Sequence, residues 1–187
     1  MINYLSKELK INLAKAIEDS NSFVIVTTGR AGTDFLQSCY DNHEEIATTS
    51  EKSQRIIDLI LKYKDTVLNY STEIFASLAV ESMLLSFAPQ LNIFEDWKIT
   101  KDQAFRKSNV RLFIDSLSYL LDQRDFKKLD NLYIAKSIIL AFTTSQSKDI
   151  SKIKCILFHL HSIELLHFYK DNFSENDLLV VCSRKIH

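Results

Sequence analysis

Phe23-Val-Ile-Val-Thr-Thr-Gly-Arg-Ala-Gly-Thr-Asp-Phe-Leu36 contains both glycines of the chain, Gly29 and Gly32. The apolar, β-branched run at 23–28 predicts a buried strand, the glycines a tight loop, and the stretch over about 34–42 a helix. A loop between a strand and a helix gathers backbone N–H groups into one concavity and adds the positive end of the helix dipole. The stretch therefore predicts a local site for a phosphate-like anion.

On the N-terminal side, Leu5, Leu9, Leu13 and Ile17 recur at helical spacing with Lys and Glu between them, which predicts an amphipathic helix leading into the strand. On the C-terminal side the pattern is helical from Ser50 to Phe87, through Ile56, Ile57, Leu59 and Ile60 and then Ile74, Leu78, Met83 and Leu84, with Pro89 as a stop. Further helical blocks are expected over about 101–122 and 129–144. The texture then changes. Ile153 to His159 reads as a short buried strand, Ser162 to Phe173 as a helix and Asp177 to Cys182 as a second apolar strand. Two strand-helix segments flanking a helical middle predict an α/β fold, a parallel sheet with helices on its faces, because parallel strands need crossover connections. No internal repeat, low-complexity tract or Ser/Gly-rich linker divides the chain, so a single domain over 1–187 is expected.

With 46% apolar residues, the 187-residue chain can bury a full core. Lys+Arg of 23 against Asp+Glu of 24 gives a net charge of -1, which offers no general attraction to nucleic acid or an anionic membrane. Cys39, Cys155 and Cys182 are odd in number and not closely spaced, and two lie in apolar runs; reduced thiols are expected. The first segment lacks the uninterrupted apolar stretch of a signal peptide, and no run approaches the roughly 20 apolar residues of a membrane span. The expected compartment is the cytoplasm. No Cys/His cluster has the spacing of metal ligands, so no metal is expected.

The loop is not a Walker A loop, which has four residues between its glycines and a Lys-Ser/Thr pair after the second. Arg30-Ala31-Gly32-Thr33, following an apolar strand, instead resembles the 5′-phosphosulfate loop of the sulfotransferases. The similarity continues through Phe35 to Ile46, which looks like that family's helix and its His-Pro-Glu-Ile turn, with Glu44 in the proline's place. Lys154 to His159 and Leu179 to Arg184 are similar to the family's strand-helix-strand ending in Arg-Asp-Pro-Arg. The resemblance implies a P-loop NTPase-like sulfotransferase fold. It comprises a phosphosulfate-loop unit at 23–43, a large helical insertion on the acceptor side at about 50–145, and a strand-helix-strand at 153–187 leading to a 3′-phosphate site. Arg184 matches the first arginine of the terminal motif, Lys185-Ile186 replaces Asp-Pro, and the family's following serine would fall past His187, as in a chain truncated at its C-terminus.

The chemistry so implied is transfer of a sulfuryl group from 3′-phosphoadenosine 5′-phosphosulfate to a hydroxyl or amine of a small-molecule or glycan acceptor. Thr28, Gly29, Arg30, Ala31, Gly32, Thr33, Asp34 and Arg184 would bind the nucleotide, with Arg30 balancing the transferring charge. Glu51 would be the general base, and His159 would stand in for the lysine that reaches the leaving oxygen or act as base, with His161 beside it. Each has a plainer reading as well. Thr33 caps a helix, Glu51 is solvated in the first turn of the next helix, and His159 is satisfied at the end of a buried strand. Trp97, Phe94, Phe105 and Tyr119 line an acceptor pocket or pack the core.

Asp34 departs from the family, which has a hydroxyl there. A carboxylate about 4–5 Å from a phosphate costs a few kcal/mol at an effective dielectric near 20. The same carboxylate at an empty helix N-terminus is favourable by about 0.3–1 kcal/mol. A second expectation therefore stands beside the enzyme, a sulfotransferase-like protein without catalysis that serves as a binding or assembly module. The pattern permits a homodimer without specifying its interface.

Overall fold

The computed structural model describes residues 5–27, 33–40, 43–49, 53–82, 109–169 and 172–182. The first helix, α1 (Lys7–Asp19), starts at Ser6, whose hydroxyl accepts from the Leu9 N–H at 3.1 Å, and it buries Leu13, Ala16 and Ile17. Strand β1 (Asn21–Thr27) and helix α2 (Thr33–Tyr40) follow as expected. Then come a two-residue strand β2 (Ile46–Ala47), helix α3 (Ser53–Tyr63) with a π-helical turn at Lys64–Leu68, and α4 (Thr72–Ser82). Asn109 caps α5 (Val110–Asp122) and Asp130 caps α6 (Asn131–Ser145), their side chains accepting from Leu112 and Tyr133 at 3.0 and 2.7 Å. Strand β3 (Cys155–Leu160), a 3-10 turn (Ile163–Phe168) and strand β4 (Leu178–Cys182) complete the described chain. The expected stop at Pro89 and the aromatic residues Phe94, Trp97 and Phe105 lie outside the described residues.

The fold is α/β. Four strands form one sheet in the order β2-β3-β1-β4, and every pairing is parallel. Strand β1 is central, with Val24, Ile25 and Val26 at most 1% exposed, which explains why its sequence is a continuous apolar run and not an alternating one. The two faces are covered unequally. Val24, Val26, Ile156, Phe158 and Leu160 join the large core built from α1, α3, α4, α5 and α6, whereas Phe23, Ile25 and Leu157 join a small cluster under Leu36 and Tyr40 of α2. Helix α6 is the axle of the thick layer, buried at every position from Leu132 to Ser145 except Lys136.

Two elements differ from the sequence reading. Strand β2 was not expected, because two residues are too few to carry an alternating pattern; it is held because the Glu45 carbonyl accepts from the N–H groups of Lys154 and Cys155 at 2.9 and 3.2 Å. The helical segment between β3 and β4 is a 3-10 helix over Ile163–Phe168, shorter than the expected 162–173. Tyr169 ends it by burying its ring fully, 5.5 Å from Phe158 and 4.9 Å from Phe168, so the chain turns inward after six residues. The three cysteines are unpaired, with Cys39 exposed and Cys155 and Cys182 half-buried.

At the amino end of the sheet, Asp177 pins β4 to β1. Its carboxylate accepts from the Ser22 N–H and, at 2.7 Å, from the Ser174 N–H. Burial alone would raise this carboxyl, but the two backbone donors outweigh it and hold it below the ordinary range. Lys136, the polar break in α6, donates to the Ser20 carbonyl at 2.8 Å, and its burial lowers the ammonium's pKa against the opposing pull of Asp177. A carboxyl lowered on folding stabilises the native state above its unfolded pKa and loses that contribution as pH falls through the folded value. We expect Asp177→Asn to cost about 1–2 kcal/mol at pH 7 in urea unfolding. The gap from wild type should narrow below about pH 4; a gap that stays constant to pH 2.5 would show that the charge on Asp177 contributes nothing.

Candidate functional site

Because all four strands run the same way, their carboxyl ends share one edge of the sheet. Strand β1 leads from Thr27 toward the glycine loop and α2. Strand β3 ends in His159-Leu160, followed by His161 and Ser162. The register pairs Ile25 with His159, Val26 with Leu160 and Thr27 with Cys182, so these three strand ends are neighbours. The connections leaving β1 and β3 also diverge. Helix α2 packs on the Phe23/Ile25 face on the way to β2, while Leu165, Leu166 and Phe168 of the 3-10 turn pack on the Val24/Phe158 face on the way to β4. Adjacent parallel strands whose connections take opposite faces leave a crevice between their carboxyl ends, the usual ligand position in open α/β sheets.

His159 sits at this switch on the α2 face and is 3% exposed. Its Nδ1 lies 2.8 Å from Oε1 of Gln37 on α2, and Nε2 of Gln37 donates to the Thr49 carbonyl at 2.6 Å, with the Thr48 hydroxyl at 3.4 Å. Thr48 and Thr49 are buried just past β2. This arrangement determines a tautomer. A backbone carbonyl only accepts, so the amide nitrogen must face Thr49; Oε1 then faces His159, and Nδ1 must carry the proton. With the Nδ1 proton held in this way, Nε2 is the ring nitrogen at which a neutral imidazole would accept a proton or a hydrogen bond. The His161 ring lies 4.5 Å from that of His159, tilted by 40°.

Of the residues expected at the site, Thr33 and Asp34 are the first two residues of α2, and His159 is at the end of β3. Thr28, Gly29, Arg30, Ala31, Gly32, Glu51 and Arg184 lie outside the described residues. The His43-Glu44-Glu45-Ile46 stretch is the turn into β2. The Glu45 N–H donates to His43 Nδ1 at 3.3 Å, and exposed pairs link Glu44 to Lys152 at 2.8 Å and Glu45 to Lys154. The Lys152 ammonium lowers the Glu44 carboxyl, as expected of an ion pair in solvent. Gln37 was not foreseen. Its signal was a polar residue on the sheet-facing stripe Leu36-Gln37-Tyr40 of α2, where an amide needs partners that only the fold supplies.

Among the described residues, no group of three or more His, Cys, Asp or Glu side chains is arranged to hold a metal ion, and no helix is long and apolar enough to cross a membrane. No protein-family model matches the chain, and neither does any curated protein or any solved structure. The site is therefore read from its own geometry.

Replacing Gln37 by leucine removes the acceptor for Nδ1–H and the bridge to Thr49. In long-range proton–nitrogen NMR spectra, wild-type His159 should show the Nδ1–H tautomer, and Gln37→Leu should shift its population toward the Nε2–H form that free imidazole prefers. Identical His159 nitrogen shifts in the two proteins would refute the assignment.

Proposed function

We propose that the protein transfers a sulfuryl group from 3′-phosphoadenosine 5′-phosphosulfate to a hydroxyl or amine of a small-molecule or glycan acceptor in the cytoplasm, without metal, nucleic acid or membrane. The observation that carries this reading is the switch between β1 and β3. The residues that follow β1 are the glycine loop, and the neighbouring strand contributes a buried histidine whose Nδ1 is held by Gln37. Arg184, two residues past the end of β4, follows the strand on the other side of β1. On this reading the backbone of 28–33 and the Arg30 side chain bind the 5′-phosphosulfate and Arg184 binds the 3′-phosphate. The acceptor oxygen or nitrogen bonds to sulfur as the bond from sulfur to the 5′-phosphate oxygen breaks. The acceptor's proton goes to a base, for which Glu51 and Nε2 of His159 are the two candidates.

One observation favours the second reading, a binding or assembly module of the same fold that does not catalyse. Helix α2 starts at Thr33, so Asp34 falls in its first turn, where a carboxylate complements the dipole that a bound anion would otherwise use.

Titration with 3′-phosphoadenosine 5′-phosphate separates the two. The enzyme reading expects binding in about the micromolar range, lost in Arg30→Ala. No detectable binding by wild type would leave only the module. Asp34→Thr should tighten the nucleotide by more than about tenfold, through loss of a like charge beside phosphate; an unchanged affinity would remove the charge argument.

A further inference from the structure

A second concavity, of about 600 Å³, lies between α4 and α5, and none of its lining residues belongs to a strand or a strand end. Its size suits a small organic molecule. Tyr70 before α4 and Phe126 after α5 supply aromatic surface, and Leu68, Leu121 and Leu129 supply apolar surface. The charges are Glu73 from α4, Asp115 and Asp122 from α5, and two arginines. Both arginines are already engaged. Arg111 spans Asp115 at 2.9 Å and Glu73 at 3.7 Å, while Arg124 binds Glu18 at 2.8 Å and lies 4.0 Å above the Tyr133 ring. With those pairs formed, the lining that remains is acidic, which disfavours an anion.

Helical spacing aligns Asp115, Ser118 and Asp122 along one face of α5. The Asp115 side chain is only 11% exposed, and its Oδ2 and the Ser118 hydroxyl oxygen are buried with no hydrogen-bond partner among the described residues. A buried carboxylate oxygen left unpaired is costly, so the Asp115 carboxylate is not fully satisfied by Arg111. The guanidinium of Arg111, placed between Glu73 and Asp115, shows what these two carboxylates accept, a planar cationic fork. The geometry points to a binding site for an organic cation, an amidinium, guanidinium or ammonium on a compact apolar or aromatic body. The charged head meets Glu73 and Asp115, sharing or replacing the Arg111 contact, and the body lies against Tyr70 and Phe126. This site is independent of the reading given to the strand ends.

Benzamidine and benzamide have the same shape and differ in charge, so they test the inference directly. In NMR titrations of the full chain, benzamidine should shift the amides of 68–73 and 111–129, with an affinity at least about tenfold above that of benzamide. Asp115→Asn should weaken benzamidine by about tenfold while Glu164→Gln, at an exposed position after β3, leaves it unchanged. Equal binding of the two probes would reduce the cavity to an apolar groove and overturn the proposal, as would shifts confined to other residues or no shifts at about 20 mM benzamidine. The comparison of probes on wild type decides the matter even if the Asp115 variant fails to fold.

Discussion

Everything in this molecule is arranged around a strand that is paired on both sides and buried on both faces. Strand β1 exchanges backbone hydrogen bonds with β3 and β4, and its side chains at 24–26 meet no solvent. Parallel pairing on both edges forbids short hairpins, so the chain must cross over each time it returns to the sheet, and the crossovers become the layers that bury it. The same constraint collects every strand's carboxyl end on one edge. The position of the candidate site is thus a result of how the backbone of β1 is satisfied.

At that edge a single amide links three parts of the chain. Gln37 reaches from α2 to β3 through His159 and to the end of β2 through Thr49. Neither partner in this chain of hydrogen bonds can exchange roles, since the terminal carbonyl has only lone pairs to offer, so the proton on the imidazole Nδ1 is imposed from a backbone atom two hydrogen bonds away. The clamp at the opposite end of the sheet is different in kind. Asp177 and Lys136 hold strand starts together through backbone contacts, and they contribute to stability and not to a site.

How much of this the sequence made legible depends on how local each signal is. Phe23 to Thr27 announced a buried strand because a run without polar alternation fits only a covered sheet, and Leu9, Leu13 and Ile17 announced α1 because their partners lie within the same helix. The parallel sheet followed from two such segments at opposite ends of the chain. Strand β2 was invisible because two residues have no period, and the helical segment after β3 was read as too long because its spacing continues while the burial of Tyr169, a tertiary effect, ends it. Gln37 and the unpaired oxygen of Asp115 were beyond reach for the same reason. Their meaning lies in atoms contributed by distant parts of the sequence or in the absence of such atoms.

The unequal covering of the sheet has a consequence for how the molecule breathes. The thick face and α6 belong to one continuous core, so its parts must open together, whereas the thin face is a cluster of three buried residues under Leu36 and Tyr40. An opening confined to α2 would take Gln37 from His159. Slow exchange with solvent is expected of α6 and the central strand, and faster exchange of the helix that carries Gln37. The amide that holds the His159 Nδ1 proton thus sits on the helix over the thinner of the two described faces, so an opening local to that face would release the imidazole before the large core opens.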